Sequence, residues 1–76
     1  MARFDFPDVE TVTECAVRLG LDPSLADVRG RILRIHALYP ASVRVVWADH
    51  PDAQDRARID HAWHSMRPGG KVEHLP

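Results

Sequence analysis

Proline and glycine divide this chain into short segments. The breaks fall at Pro7, Gly20, Pro23, Pro40, Pro51 and Pro68-Gly69-Gly70. Proline lacks a backbone donor and fixes φ, and glycine favours turns and helix ends, so each break starts or stops an element. No apolar run approaches the ~20 residues that cross a membrane. In a chain of 76 residues the segments have to share one core. Residues 1–76 therefore read as a single small globular domain, with 1–7 as a mobile arm and 71–76 as a mobile tail.

Periodicity assigns the segments. Asp8 after Pro7 reads as the N-cap of a first helix, whose apolar stripe is Val12, Ala16 and Leu19 and whose stop is Gly20. Asp22-Pro23 opens a second helix by the same logic. In it Leu25, Val28, Ile32, Ile35 and Tyr39 recur every three or four residues, and Pro40 closes it. Residues 41–50 fit either period. Val43, Val46 and Trp47 suit a helix, whereas Val43, Val45 and Trp47 suit a strand. A strand would need a partner, and only Arg3–Phe6 or Lys71–Leu75 offers one, so this stretch is read as a short helix. His50-Pro51-Asp52 starts a last helix carrying Ile59, Ala62, Trp63 and Met66 on one face. The expected fold is all-α: a compact bundle of three long helices plus one short one. The alternative is α+β, with Ser42–Ala48 as a strand. The expected buried set is Val12, Ala16, Leu19, Val28, Ile32, Ile35, Trp47, Trp63 and Met66.

Composition narrows the function. Hydrophobic residues at 45% and charged residues at 28% belong to a folded chain and not to a disordered one. The N-terminus lacks the apolar stretch of a signal peptide, and a lone Cys15 forms no internal disulfide, which together suggest a cytoplasmic protein. The net charge of −1 gives the whole molecule little pull on nucleic acid. Its distribution is uneven, however. Asp5, Asp8, Glu10, Glu14, Asp22 and Asp27 crowd the first third, and from Arg29 to Arg44 there are only bases.

No catalytic constellation stands out. Cys15 lies beside the stripe of the first helix, where a small buried apolar role suits it. Ser24, Ser42 and Ser65 occupy no nucleophile elbow. His61 and His64, three apart beside Asp60, make a possible metal pair, but a zinc site needs three or four ligands. The expectation is therefore no enzyme, no cofactor and no metal.

Two sequence motifs suggest more specific roles. Ala16, Gly20 and Leu21 have the spacing of a helix-turn-helix core, followed by a segment carrying Arg29, Arg31 and Arg34. That reading implies a DNA-binding regulator, although Ala26 and Arg29 stand where larger apolar residues belong. His50-Pro51-Asp52, with a basic segment before it and Ile59-Asp60-His61-Ala62-Trp63 after it, resembles the signature of the J-domain co-chaperones. That family joins its basic second helix almost directly to the His-Pro-Asp loop. Here Pro40 and a separate apolar segment intervene.

The remaining expectation is a non-enzymatic accessory protein, an adaptor or inhibitor, that works by binding another protein. Nucleic acid is the alternative partner. The residues singled out for contact are Arg29, Arg31, Arg34, His36 and Arg44, because a stretch of bases without acids serves no evident purpose in folding.

Overall fold

The computed structural model describes residues 11–76. Three strands and three α-helices make an α+β fold, which corrects the all-α bundle expected from periodicity. In chain order the elements are α1 (Val12–Gly20), a 3-10 turn (Pro23–Leu25), α2 (Ala26–Arg29), β1 (Ile32–Leu38), β2 (Ser42–Trp47), α3 (Ala53–Met66) and β3 (Val72–Leu75). The sheet order is β1-β2-β3. β1 and β2 form an antiparallel hairpin, and β3 returns through α3 to lie parallel to β2.

The starts of α1, the 3-10 turn and α3 are chemically marked. Thr11 caps α1, and Glu14 reaches back to the Thr11 N–H while the Thr11 hydroxyl accepts from the Glu14 N–H. This reciprocal box satisfies two orphan donors of the first turn. The Asp8 cap expected from sequence lies outside the described residues. Asp22 accepts from the Ser24 N–H and hydroxyl, and Asp52 caps α3 by accepting from the Asp55 N–H at 2.8 Å. His50-Pro51-Asp52 is therefore a helix entry here, and the element before it, which carries Arg44, is a strand and not a basic helix.

The second helix expected from Asp22 to Tyr39 ends after one turn. Gly30 weakens a helix by about 1 kcal/mol relative to Ala. Beyond it the same residues satisfy a second pattern: Ile35 and Ala37 alternate with Arg34 and His36. Pairing settles the competition. Ile35 stands opposite Val45, and Ala37 opposite Val43, so the valine-rich segment finds its partner one turn away. Ser42–Trp47 is β2 and not a short helix. The tail expected to be mobile supplies the third strand, with Val72 against Val43 and His74 against Val45.

One core holds the described elements together. Cys15, Ala16 and Leu19 from α1, Leu25 and Val28 from the turn and α2, Val43, Val45 and Trp47 from β2, and Ile59 and Trp63 from α3 are buried and form one cluster. Val12, Ile32, Ile35 and Met66, expected inside, are only partly buried against it. The helices pack on the sheet face that carries Val43, Val45 and Trp47. Trp63 fixes α3 to the hairpin, since its indole N–H donates to the Ala41 carbonyl at 3.0 Å. Gly70 passes so close that a Cβ there would collide with the Ala41 carbonyl oxygen. No helix among the described residues is long and apolar enough to cross a membrane.

Candidate interaction surface

The arginine-rich stretch separates into structural and free groups. Arg29 donates to the Gly20 carbonyl at 2.7 Å and so satisfies the end of α1. Arg31 meets Asp55 of α3 at 2.6 Å. This contact is the only partner of that buried carboxylate oxygen among the described residues, and it holds the Asp55 carboxyl below its usual range despite the opposing effect of burial. These two arginines tie the start of the hairpin to its helices.

Arg34, His36 and Arg44 are brought together. On a strand, alternate residues share a face, so Arg34 and His36 point away from the helices. Arg44 is the direct cross-strand partner of His36, and Arg34 pairs with Val46. Arg44 also holds Glu73 of β3 at 2.7 Å, but that pair is about half exposed and weak in solvent. Arg34 and His36 are exposed, and their side chains have no ion pair or hydrogen bond among the described residues. No described helix covers this face. It presents Arg34, His36 and Arg44 beside the half-buried Leu38, Val46 and Leu75.

Sequence reasoning missed a second concave feature. An open groove of about 1150 Å³ runs between α1 and α3, with Val17, Leu21, Leu25, Ala62 and Met66 among its walls. Val17 and Leu21 stay exposed there. The apolar stripe read on α1 pointed at the sheet, and nothing in the sequence said that a second apolar pair, Val17 and Leu21, would remain uncovered. The charges at the rim are engaged. Glu14 belongs to the capping box, Asp22 holds Ser24, and Arg58 forks onto Asp27 with two contacts of 3.0 Å and onto the Ser24 carbonyl at 2.6 Å. That fork keeps the Asp27 carboxyl below its usual range.

The histidines serve in part as structural linkers. The Trp47 indole can only donate, so its 3.0 Å bond to His74 Nδ1 puts the imidazole proton on Nε2, which donates to Asp60 at 2.9 Å. One side chain thus joins β2, β3 and α3. His64 Nε2 donates to the Gly70 carbonyl at 2.8 Å. His61 stands exposed on α3, apart from this pairing. Among the described residues no three His, Cys, Asp or Glu side chains gather as metal ligands would, and Cys15 is buried in the core. The recognition helix that a helix-turn-helix needs does not form, because α2 has four residues and Arg34 lies on a strand.

Comparison with known protein families, curated proteins and solved structures finds no match to this chain.

Proposed function

We propose that this chain is a protein-binding module, acting as an adaptor or inhibitor, that docks an acidic protein surface on the bare face of its sheet. The observation that supports this most is the placement of Arg34 and His36 next to Arg44. Among the described residues this face is uncovered, and neither Arg34 nor His36 has an acid to answer it. Arg34 and Arg44 repel each other as like charges, and folding gains nothing from leaving Arg34 unpaired. A partner carrying carboxylates would convert that repulsion into complementarity and steer encounter. The neighbouring Leu38, Val46 and Leu75 supply apolar surface to be covered. The α1–α3 groove offers apolar area without unanswered acidic or arginine charge at its rim, and so selects less.

The test is affinity capture from the native host with three baits: the full chain, a double reversal Arg34→Glu with His36→Glu, and a groove variant Leu21→Asp. The expected result is an acidic protein recovered in stoichiometric amount by the wild type and by Leu21→Asp, and lost at least about tenfold on reversal. The reversal should leave the melting temperature nearly unchanged. Equal recovery by the reversed bait overturns the reading. Steeply salt-dependent binding of random duplex DNA, abolished by the same reversal, also overturns it in favour of nucleic acid.

A further inference from the structure

The core is closed on one side of the hairpin and open on the other. Val43 and Val45 of β2 are fully buried, yet their direct partners in β1, Ala37 and Ile35, are only partly so. The cause is topological. β2 has a strand on each side, whereas β1 is an edge whose outer backbone has no partner among the described residues. Along that edge, under α1, runs a shallow, mainly apolar groove of about 360 Å³ whose walls include Ala16, Val17, Leu33, Ile35 and Ala37, with Arg29 and Arg34 also lining it. Leu33, at the register shift between Ile32 and Arg34, is 65% exposed. The two sides of the edge thus differ in chemistry: mainly apolar toward α1, where Ile35 and Ala37 lie, and polar toward the bare face, where the Arg34 charge stands beside His36.

We infer that the β1 edge accepts an extended segment of the partner as a fourth strand, one in which apolar and acidic residues alternate. This rests on the protein-binding reading and specifies its mode. An added strand places successive side chains on opposite faces. Its apolar residues would fill the groove beside Ile35 and Ala37, and its carboxylates would lie against Arg34 and His36. Backbone hydrogen bonds along β1 supply affinity, and the alternation supplies specificity. A second copy of this chain does not fit the same edge. An antiparallel β1–β1 pairing centred on Ile35 sets Arg34 of one chain against His36 of the other, with no acid to answer either arginine, and an unanswered charge on an edge opposes such self-pairing.

The probe is a short synthetic peptide of alternating glutamate and valine, titrated into the isotope-labelled full chain while amide shifts and hydrogen exchange are followed. Its comparators are the same composition in two blocks, alternating lysine and valine, and the alternating glutamate peptide N-methylated at every second residue. The expected result is saturable binding that slows exchange of the outward amides between Ile32 and Leu38 at least about tenfold. The N-methylated and lysine peptides should lose that protection, and Arg34→Glu with His36→Glu should weaken binding. Equal binding by the N-methylated peptide, with shifts at Arg44 and Glu73 but unchanged exchange in β1, overturns strand addition and leaves charge-guided docking standing. Absence of binding by every peptide, with capture of an acidic host protein intact, overturns the edge and spares the proposed function. Outward β1 amides already protected in the free chain overturn it as well, because the edge would then be occupied.

Discussion

The two faces of the sheet are built from the same strands and carry opposite burdens. On the helix side, Val43, Val45 and Trp47 are buried to the last percent. On the other side, Ser42, Arg44 and Val46 alternate with them and keep contact with solvent. A single residue step along β2 therefore separates a position that holds the fold from one that is free to serve binding. The same contrast divides the arginines. Arg29 and Arg31, next to the helices, close structural gaps, and Arg34, on the bare face, answers nothing in the described chain. Burial and exposure are thus separated by side-chain direction and not by distance in sequence.

The comparison breaks most readily through the tryptophan at the centre of the helix side. Trp63→Ala removes a fully buried side chain and the bond to Ala41, at a cost of about 3–5 kcal/mol. A domain of 76 residues has only about 4–11 kcal/mol in total, so circular dichroism should show a largely unfolded or strongly destabilised variant. Val46→Ala, on the bare face, should cost about 1 kcal/mol or less in the same denaturant titration. Equal losses would mean that both faces are covered.

A smaller effect tests the histidine that joins the helix side to the third strand. His74→Leu keeps an apolar body but leaves the Trp47 indole N–H without its acceptor, which costs about 1–3 kcal/mol. Amides of Val72–Leu75 should exchange faster in that variant than those of β2. If they do not, the parallel pairing of β3 stands without the side-chain link.

The smallest effect is a pH dependence, and it sharpens the division among the arginines. The bond from Arg31, with its positive charge, lowers the Asp55 carboxyl below its ordinary 3.8 in the folded chain. A group so lowered stabilises the fold above its unfolded pKa, and that contribution disappears as pH falls through the folded one. Asp55→Asn should therefore melt below wild type at neutral pH, and the two curves should converge as the solution is acidified below about pH 4. Arg34→Glu should show no such pH-dependent gap. A parallel offset between wild type and Asp55→Asn at every pH would assign the loss to packing instead of to the ion pair.

Much of the local structure could be read from the residues. Asp22-Pro23 and Asp52 mark helix starts by the same chemistry in sequence and in space, and Gly20 ends α1 where expected. The cap at Thr11 is also readable, since Thr11 and Glu14 have capping-box spacing. Cys15 as a buried apolar residue needed only the stripe it lies beside, and Trp63 as a core anchor only the stripe it lies on. Of the five bases singled out for contact, the sequence placed them in one stretch but could not say which pointed outward. Only their pairing geometry separates Arg34, His36 and Arg44 from Arg29 and Arg31.

By itself, then, the sequence determined the breaks, the caps, one short shared core and the run of bases without acids, because these depend on neighbours along the chain. The tertiary structure decided whether Ile32–Leu38 would coil or extend. Those residues carry both periods at once, with Ile32, Ile35 and Tyr39 on a helical spacing and Ile35 and Ala37 on an alternating one. Local propensity differs by only about 1 kcal/mol between such choices. Burying Val43 and Val45 between β1 and β3 outweighs that difference, and this gain exists only once Val72–Leu75, brought back by α3, has arrived on the far side.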